Sequence, residues 1–194
     1  MTEIIWIGIC IAFIVIFTIE KENREMFFGK NRIDYRLEKR YILAAVVGYY
    51  FAAEFGSCMY CFFPASLENL YNVYVEKILF FLGGPFSSIT FSADEYLTFT
   101  AILILVILSP ILEEMLFRGA FFLKLREHAN FLITMIIISF VFAMTHPTFL
   151  NFLYAFSTGC ALAVIMEKYR DIRLPIILHM CNNLAASLGL GYEI

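Results

Sequence analysis

Glu113 and Glu114 stand side by side in the stretch 109–119, SPILEEMLFRG in one-letter code, and Arg118 follows four residues after the second glutamate. They close an apolar run, 96–112. Charge in such a place is expensive: Asp, Glu and Arg inside a membrane segment cost roughly 2.5–3.5 kcal/mol each on insertion scales, so they are rare and usually functional. On a helix, residues four apart share a face. Glu114 therefore faces with Arg118 and can pair with it, while Glu113 is turned about 100° away and faces with Phe117. One carboxylate is braced by the arginine and the other is left for chemistry.

Partners for Glu113 come from two later apolar segments. Phe142 and His146 are four apart near the end of one, and His179 and Asn183 are four apart in another, so imidazole and amide point the same way. The chain has only three histidines, and two of them lie in apolar segments. A lone histidine there is most often a hydrogen-bonded core residue. Two on separate segments, with a glutamate on a third, point to a site. A glutamate and a histidine in a desolvated cavity can polarise a water, because burial raises the carboxylate's proton affinity toward that of a general base. A second histidine and an asparagine offer N–H donors, as an oxyanion hole requires. The same residues could instead bind a metal, with Glu113, His146 and His179 as three ligands around an open position, as in catalytic zinc centres. Asn183 is a poor zinc ligand and no H-E-x-x-H motif is present, so the residues alone lean toward metal-free water activation. No Ser-His-Asp set is visible: Ser109 and Ser139 have no buried acid beyond Glu113.

In this order, E-E-x-x-x-R (Glu113, Glu114, Arg118), F-x-x-x-H (Phe142, His146) and H-x-x-x-N (His179, Asn183) resemble the CAAX-protease and bacteriocin-processing (CPBP, or Abi) family of intramembrane endopeptidases. The resemblance covers residues 96–190. It implies an all-helical core that hydrolyses peptide bonds at the membrane. Glu113 with His146 would activate water, and His179 with Asn183 would hold the oxyanion. It also implies that no cofactor is required, or that one divalent ion such as zinc is bound. The implied partners are the lipid bilayer and a membrane-associated peptide or protein C-terminal tail.

Composition agrees with a membrane protein. The chain of 194 residues is 61% hydrophobic and only 16% charged, against about 45–50% and about 25% for soluble domains. Apolar runs near 20 residues recur, which favours helices over a barrel. Nucleic-acid binding has no support, since the basic residues flank apolar runs instead of forming a patch with aromatics. The run 4–19 lacks a small-residue cleavage site and reads as a retained span. Residues 20–40 are charged and suit the inner membrane surface. Further spans are expected at 41–63, 96–125, 131–146, 149–166 and 174–190, with an interfacial or re-entrant piece at 67–94. The basic connections 21–40, 124–130 and 167–173 then all fall inside. The expected fold is an all-α polytopic bundle of about six spans, with an N-terminal membrane region, 1–95, and a catalytic core, 96–194, in a bacterial plasma membrane.

Depth sets a further condition. At 1.5 Å per residue, His179 lies about 9 Å from Arg173 but His146 about 24 Å from Asn130. The two meet only if the turn at His146 and Pro147 sits deep, lining a polar cavity. Two other groups stand apart. Glu54 is a carboxylate within an apolar run, read mainly as a polar contact. Cys58 and Cys61 form a C-x-x-C without the strand–helix context of a redox motif, which reads as packing. Two other functions fit the composition: a non-catalytic immunity or scaffold protein binding a peptide in the same pocket, and a transporter relaying protons through Glu54, Glu113 and the histidines. The absence of inverted repeats counts against the transporter.

Overall fold

Proline, glycine and a few side-chain caps divide this apolar chain into helices. A computed structural model describes residues 35–83 and 102–188, which are helical throughout apart from short turns, with no strand among them. Helix α1 is Tyr35–Tyr60 and α2 is Ala65–Gly83. Helix α3 is a continuous rod over 102–126. Helices α4, Phe131–Ala143, α5, Phe149–Tyr169, and α6, Arg173–Ser187, follow. The readings of 4–19, of 20–34 and of 84–101 fall outside the described residues.

The starts are set locally. Asn130 Oδ1 accepts the Ile133 amide at 3.0 Å ahead of α4, and Thr148 Oγ1 accepts the Asn151 amide at 3.1 Å ahead of α5. Asp171 Oδ1 takes the Arg173 amide at 3.0 Å, and Pro175 sits in the first turn of α6, where a missing N–H costs nothing. Helix α5 ends on Arg170 at φ 51°, a position usually held by glycine. Its guanidinium bonds back to Glu167.

Two compact units interleave along the chain. Within the described residues one takes 35–38, 102–127 and 165–188, and the other takes 39–83 and 128–164. In the first, α6 packs along α3, and Arg126 grips Glu167 through Nε at 3.2 Å and Nη2 at 3.0 Å. In the second, aromatic rings knit α1, α2, α4 and α5. Phe149 lies 6.3 Å from Tyr60 and 5.4 Å from both Phe63 and Tyr71, and Phe152 meets Tyr71 and Phe140. Gly56 lets α1 approach α5: a Cβ there would stand 2.6 Å from the Leu153 carbonyl oxygen.

Helix α4 is built inside out. Leu132, Ile133, Ile136, Ile137, Phe140 and Val141 form one exposed stripe, whereas Thr134 and Ser139 are wholly buried. A soluble helix turns its polar side outward; this one suits hydrocarbon. Among the described residues one helix, α5, is long and apolar enough to cross a membrane, and α4 is apolar but shorter. The apolar runs are diluted by what they carry: charge in the middle and at the end of α3, tyrosines, glycines and Glu54 in α1, and Pro147 after α4. Helix α2, 19 residues long, is one regular helix across most of the stretch read as interfacial or re-entrant.

Candidate active site

Rod α3 changes its winding around the two glutamates. Ile102–Leu108 is π-helical, Ser109–Glu114 is α-helical, Met115–Phe122 is π-helical again and Leu123–Arg126 is α-helical. The π-helix is rare and recurs at functional sites. In π register each carbonyl is served by the N–H five residues on. For Leu105 that residue is Pro110, which has no N–H. Asn183 fills the gap from α6, its Nδ2 donating to Leu105 O at 2.9 Å. One of its two amide hydrogens is thus committed to backbone.

Glu114 is the buried member of the pair. It and Arg118 are both fully buried, with Arg118 Nη1 donating to Glu114 Oε1 at 3.0 Å. The same oxygen meets His179 Nδ1 at 3.0 Å, while Glu114 Oε2 has no hydrogen-bond partner among the described residues. A carboxylate paired with arginine only accepts, so Nδ1 is the donor and Glu114 sets the orientation of the ring. Glu113 is the accessible member, its side chain 31% exposed. Its Oε1 accepts from Ser109 Oγ at 2.5 Å, and its Oε2 faces His179 Nε2 at 3.9 Å. That last distance is too long for a direct hydrogen bond and suits one water touching both groups. His179 therefore has one nitrogen on each glutamate. Glu113, Glu114, Arg118, His179 and Asn183 all lie in one unit.

His146 belongs to the other unit. Helix α4 stops at Ala143, and His146 lies in the turn beyond it, where its amide donates to Ala143 O at 3.0 Å. Pro147 disfavours helical backbone at the preceding residue. The ring keeps its four-residue partner: Phe142 and His146 meet edge-on at 5.2 Å between centroids, with Nδ1 at 3.3 Å from Phe142 O. Tyr71 of α2 holds the turn from outside, its hydroxyl donating to His146 O at 2.7 Å. Tyr71 and the Leu105 carbonyl carry no sequence motif. Ser109 carries one weak signal, its place four residues before Glu113.

Glu54 is exposed on α1, and Cys58 and Cys61 are free and exposed. Among the described residues no group of three His, Cys, Asp or Glu side chains could hold a metal ion. Of the three residues expected to hold a metal, Glu113 and His179 lie in one unit and His146 in the other.

Comparison with known proteins falls on the same segment. Residues 95–185 match the family model of the type II CAAX prenyl endopeptidase Rce1-like proteins. Over 82 residues the chain is 32% identical to a protein of Bacillus subtilis (strain 168) described as "Putative membrane peptidase YdiL". The aligned stretch is 42% of this chain and 34% of that protein, so the chain spans about a third of its relative. No solved structure matches. E-E-x-x-x-R, F-x-x-x-H and H-x-x-x-N all lie inside the matched segment, so residues 95–185 of this membrane protein are similar to the CAAX-protease family at the positions that carry the motifs.

Proposed function

We propose that the chain is an intramembrane endopeptidase that hydrolyses peptide bonds in membrane-associated peptides or protein C-terminal tails, in the plasma membrane of a bacterium. The observation that carries the reading is His179 held between two glutamates, one buried and charge-paired, the other accessible and tied by a single hydroxyl. Glu113 is the general base. It takes a proton from water as the water oxygen bonds to the substrate carbonyl carbon. The oxyanion is met by an N–H on His179 Nε2 and by the second amide hydrogen of Asn183. Collapse breaks the C–N bond, and Glu113 returns its proton to the leaving amine. His146 is assigned to water activation with Glu113 on its motif.

The test uses the full chain in lipid nanodiscs and two quenched fluorescent peptides, one ending in a farnesylated C-a-a-X sequence and one carrying an apolar tail without a prenyl group. Cleavage of either that is lost in Glu113→Ala, with the protein still folded, supports the assignment. Cleavage persisting in Glu113→Ala refutes it. Binding of a peptide without cleavage by the wild type favours the non-catalytic reading.

A further inference from the structure

We propose that Ser109 is a positioning residue for Glu113, and that Asn183 turns it to that task. Serine and threonine inside helices habitually donate to the carbonyl four residues back. This chain shows the habit at Ser57 to Ala53 O, Thr158 to Tyr154 O and Ser187 to Asn183 O. For Ser109 the corresponding carbonyl is Leu105 O. That carbonyl accepts Asn183 Nδ2 at 2.9 Å, so a hydroxyl there would have to share it with the amide. The Ser109 hydroxyl turns forward instead and donates to Glu113 Oε1. One carboxylate oxygen is thereby anchored, and the other is the one aimed at His179 Nε2. Pro110 contributes, because it has no N–H to give Leu105 O in π register. Proline, carbonyl, amide, hydroxyl and carboxylate form one chain of cause that ends at the base.

The inference deepens the proposed hydrolysis and rests on it for its effect on rate. Its geometry can be read without any substrate. Infrared difference spectra of wild type against Glu113→Gln identify the Glu113 carboxyl band. Ser109→Ala should shift that band and Ser109→Thr, which keeps the hydroxyl, should restore it. Asn183→Leu, which releases Leu105 O, should shift the band as Ser109→Ala does, and the double variant should shift it no further. With a cleavable peptide, Ser109→Ala should lower kcat about tenfold at unchanged KM, and Ser109→Thr should recover it. A Glu113 band that stays in place in Ser109→Ala overturns the positioning role. One that moves in Ser109→Ala but not in Asn183→Leu overturns the part given to Asn183. Cleavage surviving in Glu113→Gln would instead refute the hydrolytic reading and leave the spectroscopic arms standing.

Discussion

Glu113 and Glu114 are chemically identical neighbours, and the same substitution should have opposite consequences at the two positions. In Glu114→Gln the Arg118 guanidinium stays fully buried and loses its ion pair with Glu114. Removing one partner of a buried pair costs about 3–5 kcal/mol, because the remaining charge is left uncompensated. His179 loses a charged acceptor at the same time. In Glu113→Gln the side chain is 31% exposed, and the amide oxygen can still accept from Ser109. The cost there is about 1 kcal/mol or less. For a chain of this size 1 kcal/mol moves Tm by about 2–4 °C, so Glu114→Gln should melt about 6–20 °C below wild type and Glu113→Gln within about 4 °C of it. The assay is far-UV circular dichroism against temperature in one detergent, with cleavage measured in parallel. Glu113→Gln should keep its fold and lose activity. The double variant Glu114→Leu/Arg118→Met should regain much of the stability, since apolar replacements of a buried pair are often neutral. It should stay poorly active, because the carboxylate that meets His179 Nδ1 is then gone. Equal melting of Glu114→Gln and wild type would refute the reasoning, because it would mean that the buried charge is not held by Glu114.

Two further outcomes follow from the other unit. Gly56→Ala places a Cβ against the Leu153 carbonyl oxygen and Ser157, which forces α1 off α5 and should cost about 1–3 kcal/mol. Gly48→Ala meets open space and should be neutral or stabilising by up to about 1 kcal/mol; melting of the two variants under one condition checks both. Tyr71→Phe removes only the hydroxyl that donates to His146 O. It should cost about 1 kcal/mol of stability and shift the imidazole resonances of His146 in NMR spectra of selectively labelled protein, whereas unchanged resonances would mean that the turn stands without it.

What the sequence made legible was local. Four-residue spacing pairs Glu114 with Arg118 and brings Phe142 against His146, because one turn of helix suffices to do so. The grouping of His179 with the glutamates was legible only as a convergence of types. Which nitrogen meets which carboxylate depends on α6 docking on α3, a contact across 65 residues. Ser109 shows the limit most sharply. The local rule assigns its hydroxyl to Leu105 O, and it is followed at Ser57, Thr158 and Ser187. At Ser109 the hydroxyl goes forward to Glu113, and Leu105 O accepts Asn183, 78 residues away, which shares the carbonyl the local rule would use. A local preference holds only until a distant side chain takes the same atom, and here that competition decides how the accessible glutamate is held.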